Sequence, residues 1–328
     1  MRTLNSPLVR YLRRRLLILV SSLFLATVTL FVLLRLIPGD PSNSLLSVGA
    51  TPDQIKAARH AVGSDLPLTQ QFFHWFNQLI HFNFGTSLIS GVSVSGEVFS
   101  RLRVTVPLTC ISFFLAILIA LPVGFISAYR RQKWYGTLLN GLSQLGIAIP
   151  VFWVGIIFIY AFALHWMVFP AGGFPPDGWH SPLAAVRSLV LPVSTIAIVM
   201  ASSLVRYVRS ATLDVLGSDY LRTSRALGFK FSHAIVRHGL RNGAAPVISI
   251  LGIELATTFV GAVVVESVFA LPGLGSLLIK AIAEHDYPVI QGVLFLSTLG
   301  VLIIGFLADL LQRIIDPRLN RFTESRSG

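Results

Sequence analysis

Six stretches of this chain are apolar for long enough to cross a bilayer, and the charged positions fall almost entirely between them. They run over roughly 16–36, 104–129, 138–167, 188–208, 246–269 and 289–312, each at or beyond the ~20 residues that cross about 30 Å of hydrocarbon. Arg2, Arg10, Arg13, Arg14 and Arg15 precede the first run. A cleavable signal peptide would carry a shorter apolar core, about 7–15 residues, ending in small residues. Residues 16–34 are instead apolar throughout and lead into Arg35-Leu36-Ile37-Pro38-Gly39-Asp40, which predicts a first spanning helix. Pro107, Pro122, Pro150 and Pro192 lie in or near spans and predict kinked helices packed against neighbours. The pattern is that of an all-α polytopic membrane protein with six transmembrane helices.

Six spans place both termini on one side. Of the 26 basic residues, all but Arg35, Lys56, Arg59, Arg101, Arg103, Arg187 and Lys280 fall on the side shared by the termini, so the retention of Lys and Arg in the cytoplasm predicts both termini inside. The layout is a cytoplasmic N-terminus over 1–15, a first span over 16–36 and an outer loop over 37–103. A core of five spans follows over 104–315, with an inner loop at 216–246 and a cytoplasmic tail at 316–328. Composition agrees. Only 12% of residues are charged and mean hydropathy is +0.74, whereas soluble domains carry about 25% charged residues. The net charge of +12 is a matter of topology in a cell inner or plasma membrane and does not point to nucleic acid. The single cysteine, Cys110, sits in an apolar run and excludes an intrachain disulfide or a cysteine metal cluster.

The outer loop is long for a connector and carries helix signals. Thr51-Pro52-Asp53-Gln54 has an N-cap, a proline at the first helical position and a glutamine at capping-box spacing, and Gly63 ends that helix. A second helix is predicted over Pro67 to Phe82, with Phe72, Phe73, Trp75, Phe76 and Phe82. Its aromatic face either packs on the spans or membrane surface, or serves as an outer contact for a substrate-delivering protein or a lid over the pathway. Pro170 to Ser181 reads as an irregular re-entrant or surface loop.

The most polar stretch inside the apolar part of the chain is Leu216 to Val247. It reads as two short helices around Gly228, with Ser218 and Ser232 as their N-caps. Arg222 and Arg225, three apart, share one face, and Arg237 and Arg241, four apart, share another. Such an island between two spans predicts a docking surface for a soluble partner. No Gly-x-x-x-x-Gly-Lys-Ser/Thr occurs, and none of Lys56, Lys133, Lys230 and Lys280 follows a glycine, so the chain carries no P-loop. It has no His-Glu-x-x-His and no Gly-x-Ser-x-Gly. His233 and His238, five apart, lie on different helix faces. No nucleophile or metal set for a membrane-embedded enzyme emerges, and no cofactor is expected in this chain. Charges within the spans are few, and two acids are singled out. Glu254 in the fifth either lines a path or bonds a neighbouring helix, and with Pro150 it is the candidate for the translocation pathway. Asp309 in the sixth, close to the headgroups and Arg313, reads as structural.

Asp219-Tyr220-Leu221-Arg222-Thr223-Ser224-Arg225-Ala226-Leu227-Gly228, followed by Arg237-His238-Gly239-Leu240-Arg241-Asn242 and Pro246, resembles the cytoplasmic coupling loop of ABC-importer permeases, and more narrowly the dipeptide/oligopeptide/nickel branch. Val265 to Gly275 and Asp286 to Gly292 resemble the last outer loop of that branch. Asp316-Pro317-Arg318-Leu319 resembles its C-terminal ending, and Arg35 to Pro41 the end of its first span. The likeness runs from about residue 10 to 321, and the long loop after the first span resembles the B-type member of a permease pair. The general consensus opens the coupling loop with Glu-Ala-Ala. Here those positions hold Arg222, Thr223 and Ser224, and the interval from Gly228 to Pro246 is longer than in that consensus.

The resemblance implies the type I importer permease fold and a heterodimer with a second, similar permease. It also implies two cytoplasmic ATPase subunits, which hold the ATP and magnesium, and an external solute-binding protein. Ser218, Asp219, Tyr220, Arg222, Thr223, Ser224, Arg225, Ala226 and Gly228 would dock the ATPase, with Arg237 and Arg241 in support. Peptide is the first expectation for cargo. Nickel chelates, haem and glutathione also travel through relatives of this branch. The alternative of another class is a secondary carrier or channel working alone, which needs no docking island.

Overall fold

The computed structural model describes residues 7–36, 51–235 and 240–315. They are helical almost throughout: α1 (Pro7–Leu36), α2 (Pro52–Val62), α3 (Leu68–Ile80), α4 (Val94–Tyr129), α5 (Trp134–Ala148), α6 (Val151–Phe158, continued by a π-helical stretch Ile159–His165), α7 (Pro182–Gly217), α8 (Asp219–Ala226), α9 (Phe231–Ala234), α10 (Leu240–Val268), α11 (Leu274–Glu284) and α12 (Tyr287–Ile315). Among the described residues the β-structure is one isolated bridge, Thr86 to Ser93.

Among the described residues five helices, α1, α4, α7, α10 and α12, are long and apolar enough to cross a bilayer. The expected third span, 138–167, is not a straight helix. It is the pair α5 and α6, which meet at 100° and make a sixth span only when taken together. The break has a local cause. Proline clashes with a helical conformation in the residue before it, and Ile149, ahead of Pro150, is extended at φ −86°, ψ 125°. The other spans exceed their expected bounds. α4 starts at Val94, so the outer connection ends ten residues before 103. α7 continues to Gly217, and α10 starts at Leu240.

In the outer connection, Thr51 and Gln54 form the expected capping box before Pro52, and Gly63 closes α2 at φ 72°. The aromatic face of α3 packs on the first span: Phe24 and Phe31 of α1 meet Phe72, Trp75 and Phe76 at ring separations of 5.3–6.4 Å. Such edge-to-face and tilted contacts add to apolar burial. Residues 170–181 form an irregular loop with a 3-10 turn at Gly178–His180. It is tied down by Gly173 N–H donating to the Phe269 carbonyl at 2.7 Å and Trp179 Nε1 donating to the Arg103 carbonyl at 2.7 Å.

The bundle is centred on α7. Of its apolar window 67% is buried, against 6% for α10. Ala116 and Ala120 of α4 pack against Ala197, Met200, Ala201, Leu204 and Val205 of α7, and small side chains of this kind let membrane helices approach closely. At the other end, Glu266 of α10 is fully buried. Its Oε1 accepts from the Thr105 hydroxyl of α4 at 2.6 Å, and its Oε2 accepts from the Gly275 and Ser276 N–H groups at 2.7 and 3.3 Å. Thr105 Oγ1 in turn accepts from Leu274 N–H at 2.9 Å. One carboxylate and one hydroxyl thereby cap the first turn of α11, where negative charge is favoured. Gly273 is required beside it, because a Cβ there would run into the Glu266 carboxylate.

Replacing this carboxylate tests the arrangement. Glu266→Ala leaves buried N–H donors without an acceptor, at about 1–3 kcal/mol each. The purified variant is expected to unfold several degrees below the wild type in the same detergent. An unchanged midpoint would show that the cap contributes nothing to the fold.

Candidate coupling surface and membrane path

The segment carrying α8 and α9 is anchored on one face and open on the other. Leu221 of α8 and Ile235 are buried against Phe125 of α4, Leu216 of α7 and Phe231 of α9. Tyr129 extends the contact, stacking on Phe125 and Phe231 with ring centroids 5.9 and 5.4 Å away. Ser224, one turn on from Leu221, is buried as well. Asp219, Tyr220, Arg222, Thr223, Ala226, Leu227 and Phe229 lie exposed on the remaining surface. The spacing of Leu221 and Ser224 thus turns the polar positions away from the bundle.

The helix ends as its glycine predicts. Gly228 adopts φ +86°, and Phe229 N–H donates to the Ser224 carbonyl at 3.3 Å, the long back-bond that closes a helix through a left-handed residue. Ser218 differs from expectation. Its hydroxyl donates backward to the Val215 carbonyl at 2.6 Å, securing the end of α7 where an N-cap of α8 was expected. The second short helix begins at Phe231, so Ser232 lies inside its first turn. Arg222 lies 3.6 Å from Asp219 with both side chains exposed, a pairing too solvated to matter much. Arg225 belongs to the last turn of α8 and Arg241 to the first turn of α10, whereas Arg237 falls outside the described residues. The expected sharing of a face by Arg237 and Arg241 therefore lies outside them too.

Glu254 and the break at Pro150 come together. Glu254 sits on α10, half-exposed, at a cavity of 190 Å³ that Val151, Met200, Ser203, Thr257 and Thr258 also line. Pro150 caps α6, so the residue that follows it, Val151, enters the cavity. The Ser203 hydroxyl of α7 donates to Glu254 Oε1 at 2.7 Å. The two readings of this acid coexist in the structure: one oxygen bonds a neighbouring helix, while the side chain borders open space. Asp309 takes a different partner from the one its sequence neighbourhood suggests. Arg15 of α1 pairs with it at 2.7 Å, the Tyr11 hydroxyl donates to its carbonyl at 3.3 Å, and Arg313 lies over the Tyr11 ring at 3.8 Å. The acid fastens the first span to the last.

Sequence reasoning missed two anchoring acids, Glu266 and Asp286. Asp286 is buried and accepts from the Ser87 hydroxyl and from Leu88 N–H at 3.2 Å, pinning the outer connection to the start of α12. A signal existed for Glu266. α11 opens after Gly273, with no capping side chain at hand, so its first N–H groups need an acceptor from elsewhere.

Residues 120–321 match the family model described as Binding-protein-dependent transport system inner membrane component, and residues 8–109 match its N-terminal companion. A Brucella abortus (strain 2308) protein, provisionally named a peptide transport system permease protein, is 36% identical over 90% of this chain and 94% of its own length. The glutathione transport system permease protein GsiC of Escherichia coli (strain K12) is 33% identical over 95% of this chain and 99% of its own. Among solved structures, an inward-facing conformation of the MetNI methionine ABC transporter aligns with TM-score 0.56 at 18% identity, covering 67% of this chain and 96% of that one. At that identity the likeness speaks to the fold.

The seat of α8 can be loosened without touching its exposed face. Leu221→Ala removes a buried side chain at a cost of about 2 kcal/mol or more. Amide hydrogen exchange in α8 is expected to accelerate by about tenfold or more, with α4 and α7 unchanged. Equal exchange in the two proteins would mean that Leu221 does not hold the helix.

Proposed function

This chain belongs to the binding-protein-dependent transport system inner membrane components, as an ABC-importer permease of the peptide/oligopeptide branch, and we propose that it carries peptides delivered by an external solute-binding protein. Glutathione, the cargo in the name of one relative, is itself a small peptide and fits the same reading. The chain works in an inner membrane with both termini cytoplasmic, beside a second, similar permease and two ATPase subunits that bind and hydrolyse the ATP. The orientation is supported by the concentration of Arg and Lys at the two ends and in the inner loop.

The observation that carries the reading is the docked but outward-facing α8. Its buried edge, Leu221 and Ser224, rests on α4 and α7, and its free edge offers Asp219, Arg222, Thr223 and Ala226. A short helix held in this way transmits a push, where a loose loop would absorb it. Seated in an ATPase cleft, α8 would move with that subunit on ATP-driven closure and carry α7 with it. Arg222 supplies a charge-assisted hydrogen bond to acidic or carbonyl groups of the partner. The half-exposed Glu254 and the α5–α6 break at Pro150 mark the path that α7 motion opens to one side and closes to the other.

Two measurements test this. Purified with both ATPase chains and reconstituted, the permease pair is expected to take up peptide only with ATP and loaded binding protein, and this chain without the ATPases is expected to transport nothing. Uptake without them overturns the reading in favour of a stand-alone carrier. Gly228→Pro is expected to abolish ATPase association or uptake while membrane insertion persists. Proline fixes φ near −65° and cannot follow the +86° turn that ends α8. Normal uptake by this variant would remove the coupling role from α8.

A further inference from the structure

We infer that Glu254, together with Ser203, receives the α-ammonium end of the peptide in transit, and so selects cargo within the membrane in addition to whatever the binding protein selects outside; this rests on the peptide reading above. A carboxylate among spanning helices is costly and persists where it has a cation, a hydrogen-bond network or water. Glu254 has one hydrogen-bond donor, the Ser203 hydroxyl on Oε1. Among the described residues no Lys, Arg or His pairs with it. Asp309, the other acid named in a span by sequence reasoning, is neutralised by Arg15, and Glu266 is enclosed by donors. Glu254 alone of the three lines a cavity with neither a cationic partner nor donors on both oxygens among the described residues.

The lining suits a small cation with several donors. Glu254, Ser203 and Met200, whose sulfur accepts from the Thr258 hydroxyl at 3.5 Å, line the same 190 Å³. An ammonium group carries three N–H donors and no acceptor, so it can satisfy Glu254 and Ser203 together. The space lies below the roughly 300–1,000 Å³ of pockets that enclose a drug-sized ligand, which matches capture of one terminus and not of a whole peptide. A contact made with one charged group also remains weak enough to release, as conduction through a path requires. Ser203 is on α7, the helix that continues to α8, and Glu254 is on α10. Displacement of α7 therefore separates the two groups that hold the ammonium.

The test uses the complete transporter with both permeases, ATPases and binding protein, and the variants Glu254→Asp, Glu254→Gln and Glu254→Lys. The probe is a tripeptide with free termini, and its N-acetylated form serves as a second probe wherever the wild type transports it. ATPase stimulation by loaded binding protein is measured in parallel. Glu254→Gln keeps the shape and the Ser203 bond but loses the charge. It is expected to lower uptake of the free tripeptide about tenfold, with Asp closest to wild type and Lys lowest, while ATPase stimulation persists; uptake of the acetylated probe is expected to change less than twofold. Unchanged uptake in Glu254→Gln, or equal losses in all three variants, overturns the inference and leaves the permease reading intact. Failure of the wild-type complex to take up any peptide would instead strike at the reading on which the inference rests.

Discussion

The carboxylate of Glu266 holds three helices at a single point. It receives the Thr105 hydroxyl from α4, closes the first turn of α11, and belongs to α10 itself. Such a group is costly to bury unless each oxygen is satisfied, and here both are. The same requirement explains the glycine at 273 and the chain path around it. Leu271 N–H returns to the Glu266 carbonyl at 2.8 Å, and the Phe269 carbonyl accepts from Gly173 in the loop after α6. This end of the permease is therefore a network closed around one acid, and α8 sits at the opposite end of α7.

Under the coupling proposed above, α7 has a mechanical role. It is continuous over 36 residues, about 54 Å at 1.5 Å per residue, and three sets of contacts lie along it in order. Its outer half packs in the closed core with Leu189, Leu191 and Val193. Its middle offers Ser203 to Glu254, and its last turn is joined to α8 through Leu216 and the Ser218–Val215 bond. A rod fixed at one end and pushed at the other rotates most at the driven end and least at the anchor. The Ser203–Glu254 contact lies between, where the rotation becomes a change in distance from α10. Pro192 lies inside this helix, within the anchored segment from Leu189 to Val193, where its missing N–H weakens the helical hydrogen-bond ladder.

Much of this was legible along the chain, and the reasons are physical. Lipid demands long apolar runs, so the spans declare themselves. Helix ends declare themselves where local chemistry makes them, as at Thr51 and Gln54, at Gly63 and at Gly228. What escaped was whatever distant residues decide. Pro150 signals a kink, but its size, 100°, depends on how α5 and α6 pack against α7. Asp309 is near Arg313 in sequence, yet Arg15, almost the whole chain away, neutralises it. Ser218 has the right chemistry for a cap, but the Val215 carbonyl at the end of α7, which also accepts the Ser218 N–H, takes its hydroxyl. Glu266, at the end of the fifth apolar run, drew no role from the sequence because its partners, Thr105 and the N–H groups of α11, meet it only after folding.

The exposed side of α10 shows why polarity must be weighed atom by atom. Ile253, Thr257, Val260, Val264 and Ser267 form one exposed stripe, and its two hydroxyls suggest a watery face. Yet Thr257 donates to the Glu254 carbonyl at 3.0 Å and Ser267 to the Val263 carbonyl at 2.9 Å. Both are satisfied within the helix and could face lipid without cost. Glu254 cannot, because no intrahelical bond satisfies a carboxylate, and Ser203 engages only one of its oxygens. Thr257 borders the same cavity as Glu254, so it is a single side chain, and not the general polarity of the helix, that brings to this cavity a charge which α10 does not itself satisfy.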